Sequence, residues 1–404
     1  MEFFGYEVAA PLRKIWQQVG QKFLGHDKVS QSNDLNSFLC LTLGGASRNV
    51  NKKTMHPPLN KEKIMKKLSK RIVPFVLSSV LSLPALAQDT VLRVSSWLPP
   101  SHPIVRDMVL PWSEDVAAAT EGRVTIQLLD APLGPPPAHM DLAMAGAADI
   151  TYGAHDYTPG RFTLHQIVQL PFLADSAATA SVAYWRLFEE HLASAGEHKG
   201  VQVLSVFTHG PGLMYLRDKA PSPLSELAGA KIRVAGPMTS DMSKALGLTP
   251  VQAPAPSSYE ILSGGIVDGT YFPAESIPFF RITDELTHGL RAPGGLYNIS
   301  FFMVMNSAAF QRLSEADQKA IMKLSGEAFA LRAGQAWDAA DQRGYEAMDG
   351  KVDIMDASEA DIAALTAATA PMFDKVRESY DAKGIDFEAA MTSLKADIEA
   401  LSAQ

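Results

Sequence analysis

Residues 227–270 read LAGAKIRVAGPMTSDMSKALGLTPVQAPAPSSYEILSGGIVDGT, and this stretch constrains the fold more than any other. A short strand, KIRV, runs into the small-residue turn Ala235-Gly236-Pro237. A helix, a second strand and a Gly-Gly-Ile-Val-Asp-Gly turn follow. Two strands joined through a helix lie parallel in one sheet, which commits this region to an α/β architecture. The strand carries one arginine, Arg233. A guanidinium fixed on a rigid strand presents a planar fork of donors that matches two carboxylate oxygens and stays charged at any working pH. Chemistry alone leaves two readings open: a surface arginine paired with a neighbouring acid, or the cationic floor of an anion pocket.

The same alternation extends along the chain. Residues 90–97 (TVLRVSSW) read as a strand ending in the loop Leu98-Pro99-Pro100. A helix is predicted over 104–120, broken at Glu121-Gly122, then a strand over 124–129. Pro135-Pro136-Pro137 precedes a helix over 138–145, and 150–153 form a third strand. Residues 201–208 give another strand that ends at His209-Gly210-Pro211-Gly212, a corner suited to crossing into a second lobe. The pattern resumes through 213–296, and a strand at 300–305 would recross. From Ser314 the chain is helical; Ser314 and Ser358 each stand three residues before an aspartate, as N-caps do. Ile321, Leu324, Ala328 and Leu331 are expected on one helix face. Two α/β lobes joined by crossing strands describe a clamp that closes by hinge motion.

Residues 65–87 (MKKLSKRIVPFVLSSVLSLPALA) have the build of a signal peptide: Lys66, Lys67, Lys70 and Arg71, a short apolar run, then Ala85-Leu86-Ala87. The apolar run is shorter than the roughly 20 residues that span a bilayer. Cleavage after Ala87 would leave an exported chain starting at Gln88. Residues 1–64 make little sense ahead of a signal, so translation is expected to start at Met65 or Met55, and 1–64 are set aside as a doubtful extension. The sole cysteine, Cys40, lies there, so the mature part offers no thiol chemistry and needs no disulfide. Residues 88–404 hold 23 Lys and Arg against 39 Asp and Glu, a formal charge of −16, against −8 for the whole chain. Such a chain repels nucleic acid and anionic lipid. An anion would need a local cationic pocket.

The 227–270 segment closely resembles the ligand-domain core of solute-binding proteins of the tripartite ATP-independent periplasmic (TRAP) transporters, the DctP family. The order of small domain, crossing, second domain, crossing and long helices is similar over all of 88–404. The resemblance implies a two-lobed clamp of the type II periplasmic-binding-protein kind, with hinge strands and long C-terminal helices. It places domain I at 88–209 plus 299–338 and domain II at 210–298 plus 339–404. It implies that Arg233 grips a ligand carboxylate, with the turn containing Gly236 lining the cleft. Where sialate and dicarboxylate binders have Gln-Glu-Asn-Pro, this chain has Thr270-Tyr271-Phe272-Pro273, and Ala255 replaces a frequent aromatic. Sialate binders also have a second arginine soon after the first crossing; here Arg217 falls too far along. These departures favour a monocarboxylate with an apolar or aromatic body, touched by Phe272 and Met214.

Other candidates surround that centre. Trp97, at a strand's carboxyl end, would supply a flat wall, and Tyr152 and His155 follow the third strand in a segment that also resembles the family. His209 stands at the crossing; Glu275 could buttress Arg233 or pair with a ligand ammonium. Phe272, Trp97, His155 and His209 each have a purely structural alternative, and Glu275 a solvated one. The eight histidines of 88–404 show no metal-ligand spacing, and no Gly-x-Ser-x-Gly elbow, Walker loop or dinucleotide fingerprint occurs. No cofactor is expected. The resemblance implies a monomeric or weakly dimeric binding protein that delivers an organic acid to the small and large membrane permease subunits. A ligand sensor or scavenger of the same fold, an ATP-driven uptake binding protein and a secreted α/β enzyme are the rivals.

Overall fold

The structure, a computed structural model, describes residues 89–403. The expected extension, the signal segment and Cys40 lie outside the described residues. Eleven strands are found there: β1 (Thr90–Ser95), β2 (Val124–Leu128), β3 (Ile150–Ala154), β4 (Val201–Thr208), β5 (Leu213–Leu216), β6 (Lys231–Val234), β7 (Thr249–Gln252), β8 (Gly269–Phe272), β9 (His288–Arg291), β10 (Ser300–Asn306) and β11 (Asp353–Asp356). They form two mixed sheets, ordered β2-β1-β3-β10-β4 and β11-β9-β5-β8-β6-β7. In the first, β1, β2 and β3 are parallel and β10 runs against both β3 and β4. In the second, β6 is parallel to β7 and β8, as the intervening helix requires.

The chain is a two-lobed α/β clamp, one sheet to each lobe. It passes between the sheets at residues 209–212 and again at 292–299, where Gly212 and Tyr297 and then Leu296 and Gly212 exchange backbone hydrogen bonds of 2.9 Å. These paired crossings leave both lobes anchored on one short ribbon. Gly212 must be glycine here, because a Cβ would sit 2.1 Å from the Tyr297 ring.

Helices cover both sheets: α1 (Leu110–Ala119), α2 (Ala177–Leu187), α3 (Pro237–Ala245), α4 (Glu315–Leu324), α5 (Gly326–Met348), α6 (Glu359–Asp381) and α7 (Phe387–Ser402). Ser314 and Ser358 cap α4 and α6, and Ser358 forms a full capping box with Asp361. The single face expected from Ile321 to Leu331 does not form. The backbone breaks at Ser325-Gly326, where Gly326 takes φ +58°, so α5 starts on a new phase. It buries Phe329, Ala330, Ala333 and Trp337, while Ala328 and Leu331 are exposed.

The tail serves both lobes. β11 completes the second sheet, α6 packs on α3, and Tyr380 reaches back to Leu164 of the first lobe. The last helix, α7, lies instead on α2, with Arg186 bridging to Asp397 at 3.0 Å. Segment 339–404 is thus divided between the lobes and does not follow domain II throughout.

Helix α5 crosses α2 closely at Gly334, whose Cβ would lie 2.3 Å from Ala178 Cα. One turn on, Asp338 accepts from the backbone N–H groups of Ala177 (2.6 Å) and Ala178 (3.1 Å) and from the Ser176 hydroxyl (2.8 Å). A carboxylate there satisfies the orphan donors of α2 and complements its dipole. Asp338→Ala is expected to lower unfolding free energy by about 1–3 kcal/mol, read as a shift in urea midpoint at constant slope. An unchanged midpoint would show that α2 does not need this cap.

Candidate functional site

Strand β6 carries Arg233 into the interior, where the residue is 1 % exposed. Its Nε–H donates to the Ala253 carbonyl (2.9 Å) and Nη1 to that of Tyr271 (3.3 Å). The guanidinium carbon stands 4.4 Å from the centroid of the Phe272 ring, a cation–π contact. Nη2 has no hydrogen-bond partner. Among the described residues no carboxylate lies within ion-pair distance of Arg233. Burial pushes its pKa down, against the pull of Tyr157 and Tyr297. Arginine nevertheless keeps its charge in proteins, so a buried cation waits for an anion.

Arg233 lines a cavity to which both lobes contribute. The first lobe contributes Trp97, Leu98, His102 and Tyr157. The crossings and β10 add His209, Tyr297 and Phe301. The second lobe gives Ala255, Phe272, Glu275 and Phe280, and α5 gives Trp337. The walls are mostly apolar, and seven of the lining residues are Trp, Tyr or Phe. Trp97 is fixed by donation from Nε1 to the Tyr152 carbonyl at 3.3 Å and by the edge of Tyr157, centroids 5.7 Å apart.

Of the residues singled out in the sequence, Arg233, Trp97, Phe272, His209 and Glu275 line this cavity. His209 is held by its own neighbours: Nδ1–H donates to the Gly210 carbonyl and Nε2 accepts from Ile299 N–H at 3.1 Å. Burial lowers its pKa to about 4, so the ring is a neutral wall. Glu275 accepts from the Ser276 hydroxyl through Oε1 (2.6 Å), and its backbone N–H donates to Asp341 at 2.8 Å. Burial raises its pKa to about 7, and its Oε2 has no hydrogen-bond partner.

Four residues expected at the cleft are not among those lining the cavity. Tyr152 turns its hydroxyl to Ser96 (2.5 Å) and braces Trp97, ring centroids 5.9 Å apart. Met214 sits in β5 between Tyr271 and Leu290 and is fully buried in the sheet core. Gly236 faces Asp156: a Cβ there would lie 2.5 Å from the Asp156 Cβ. His155 points into the first lobe, onto His165 and His198. Tyr157, Tyr297, Phe280 and Trp337 were missed, and only Tyr157 had a signal: an aromatic just beyond a strand end.

The three histidines were not visible as a group in the sequence. One ring nitrogen of each lies within 4.8 Å of the others, the kind of donor set that suits zinc. Their present geometry does not converge. His155 and His165 are stacked, with centroids 4.2 Å apart and planes at 6°, so their lone pairs run side by side. Oxygens of Ser300 and Tyr184 hold the two Nδ1 atoms, and the Nε2 atoms of His155 and His198 share a hydrogen bond of 3.0 Å. The trio acts as a neutral polar plug among Phe162, Phe188 and Phe302.

Two contacts join the lobes beside the cavity. The Tyr157 hydroxyl accepts from Ala255 N–H at 3.0 Å, and Asp156 packs on Gly236 at the start of α3.

A family model described as bacterial extracellular solute-binding protein, family 7 (DctP), matches residues 94–379. A curated relative, the outer membrane transporter protein TsaT of Comamonas testosteroni, is 31% identical over 332 residues, 82% of this chain and 98% of that protein. A TRAP periplasmic solute-binding protein of Bordetella bronchiseptica, solved with bound (R)- and (S)-mandelate, is 40% identical. Its TM-score is 0.76, with 77% of this chain and 99% of that one covered. A TRAP solute-binding protein of Rhodoferax ferrireducens T118, in complex with copurified benzoate, is 27% identical. Its TM-score is 0.72, with coverage of 78% and 99%.

Gly236→Ala should hinder closure of the lobes, because its methyl group would lie 2.5 Å from both the Cβ and the Oδ2 of Asp156. The expected result is a ligand affinity at least about tenfold weaker (about 1.4 kcal/mol) with little change in the ligand-free melting temperature. Equal affinity would show that closure does not bring these residues together.

Acid should act through the buried imidazoles. Burial lowers His102 and His198 to about 3, His209 to about 4, and His139, His155 and His165 as well. It raises Asp156 to about 6, Glu275 to about 7, and also Glu197 and Asp341. Histidines with depressed pKa contribute stability that is present above about 6.5 and lost as pH falls; the raised carboxyls act in the opposite sense until about pH 4, where unfolded acids also protonate. Urea midpoints should therefore fall gently from about pH 6.5 to 4.5 and steeply below 4. A midpoint that rises on acidification would contradict this balance.

Proposed function

We propose that this chain, which belongs to family 7 of the bacterial extracellular solute-binding proteins, the DctP family of TRAP transporters, captures an aromatic monocarboxylate. One observation carries the reading. A buried guanidinium with a free Nη2 and no internal carboxylate faces a cavity walled by Trp97, Tyr157, Phe272, Phe280 and Tyr297. A carboxylate on Arg233 completes the unpaired charge, and an aromatic body fills the apolar remainder. A ligand with several charges would leave most of them unmatched against those rings. The mandelate and benzoate bound by the two structural neighbours are acids of this kind.

The family and its structural neighbours are binding proteins, and among the described residues no helix is long and apolar enough to cross a membrane. Function would follow from closure: the liganded, closed clamp is the state that small and large permease subunits recognise, and uptake energy comes from an ion gradient at that permease. The segment at 65–87 would direct the chain to the periplasm, where its surplus of acidic residues favours solubility.

Thermal unfolding of residues 88–404 with benzoate, mandelate and succinate tests the reading. An aromatic monocarboxylate at 100 times its dissociation constant should add about 2.7 kcal/mol, and succinate little. Arg233→Ala should remove the shift while leaving a cooperative transition. Retained affinity in that variant would end the carboxylate clamp.

A further inference from the structure

The phenol of Tyr157 uses only half of its hydrogen-bonding capacity. It stands on the single helical turn His155–Tyr157 that follows β3 in the first lobe, and its oxygen accepts the N–H of Ala255, in the second lobe, at 3.0 Å. A phenol oxygen accepts through a lone pair and still has one proton to give. No acceptor for that proton is found among the described residues. Arg233 is close by: its Nε–H donates to the Ala253 carbonyl at 2.9 Å, two residues before the amide that Tyr157 accepts. The guanidinium and the phenol therefore meet the same short stretch, 253–255, from opposite lobes, and each acts electrostatically on the other. Both line the cavity, and Nη2 of Arg233 is likewise a donor without a partner.

Resting on the proposed aromatic acid, we infer that the Tyr157 hydroxyl is a second grip on the ligand carboxylate and the link that closes the clamp over it. One carboxylate oxygen takes Nη2–H of Arg233 from the second lobe, and the other takes the O–H of Tyr157 from the first. Both contacts exist together only when the lobes are closed. The anion therefore gains more from the closed state than from the open one, which is the condition for a ligand to shift such an equilibrium. The bonds reinforce one another, because a phenol that donates to an anion is a better acceptor for the Ala255 N–H. Without a ligand, closure buries a phenolic proton and a guanidinium N–H with nothing to receive them, and each loses its hydration. The empty clamp is thereby biased toward opening, where water serves both. Trp97 holds the ring itself, centroids 5.7 Å apart and planes at 72°, so the hydroxyl can be removed with its ring left in place.

Calorimetric titration of the wild-type chain and of Tyr157→Phe with benzoate and with mandelate tests the grip, and small-angle X-ray scattering tests the link to closure. The variant should bind both acids about tenfold more weakly or worse, and by a similar factor, since the carboxylate is what they share. At saturating benzoate the wild-type radius of gyration should fall, while that of Tyr157→Phe stays nearer its ligand-free value. Placing 3,5-difluorotyrosine at position 157 separates the two uses of the hydroxyl, because fluorine strengthens the O–H as a donor and weakens the oxygen as an acceptor. In mildly acidic buffer this chain should bind benzoate more tightly than the wild type; a contact with Ala255 alone predicts weaker binding. Unchanged affinity in Tyr157→Phe, full contraction of that variant, or weaker binding by the fluorinated chain overturns the inference and leaves the Arg233 clamp standing. Failure of every aromatic acid to bind the wild type overturns the aromatic-acid reading, and this inference with it.

Discussion

A single uncompensated charge organises this molecule. Arg233 lies inside the protein with two of its donors on backbone carbonyls, its face on Phe272 and its last nitrogen unpaired. Even after relaxation, burying an ion costs several kcal/mol unless a partner repays it in a low-dielectric setting. The two carbonyls and the aromatic face reduce that cost and fix the fork's orientation. They cannot cancel the charge. A site in this condition has a standing preference for one anionic group, and the surrounding acidic surface does not provide it.

The fold's task is to bring walls to that charge. Two sheets, each with its own helices, meet through the crossings at 209–212 and 292–299, through the tail helices and through the contacts of Tyr157 and Asp156 beside the cavity. The crossings bring His209, Tyr297 and Ile299 to the cavity floor, and closure adds Trp97 and Tyr157 from one side and Phe272 and Phe280 from the other. Aromatic walls lose little side-chain entropy on binding and exclude water, which strengthens the ion pair they enclose. Small residues permit the approach: Gly236 admits Asp156, and Ala255 leaves room for Tyr157 to accept its amide.

Buried polarity away from the ligand is handled differently. The histidine trio of the first lobe satisfies itself through neutral rings, ring stacking and hydroxyl partners, and His209 is consumed by two backbone bonds. Nη2 of Arg233 is not consumed in this way. The contrast matters, because buried polar groups in native proteins are almost always paired, and those left open at a cavity mark where a ligand is expected to finish the pairing.

Legible in the sequence were the strands, the crossings, the capped helices and the place of Arg233 on a strand. Each is a local signal: alternation along a strand, a Gly-Pro-Gly corner, a serine three residues before an aspartate, an arginine in KIRV. Met214, His155 and Tyr152, expected at the cleft, do not line the cavity, because position near a strand end does not say which face of the sheet a side chain joins. The face expected from Ile321 to Leu331 failed because one glycine with positive φ reset the helical phase. Only the tertiary structure could assemble Trp97, Tyr157, Tyr297 and Trp337, which lie up to 240 positions apart in the chain, around one cavity. Their meeting depends on how two lobes close on a hinge, and no local periodicity encodes an angle between distant bodies.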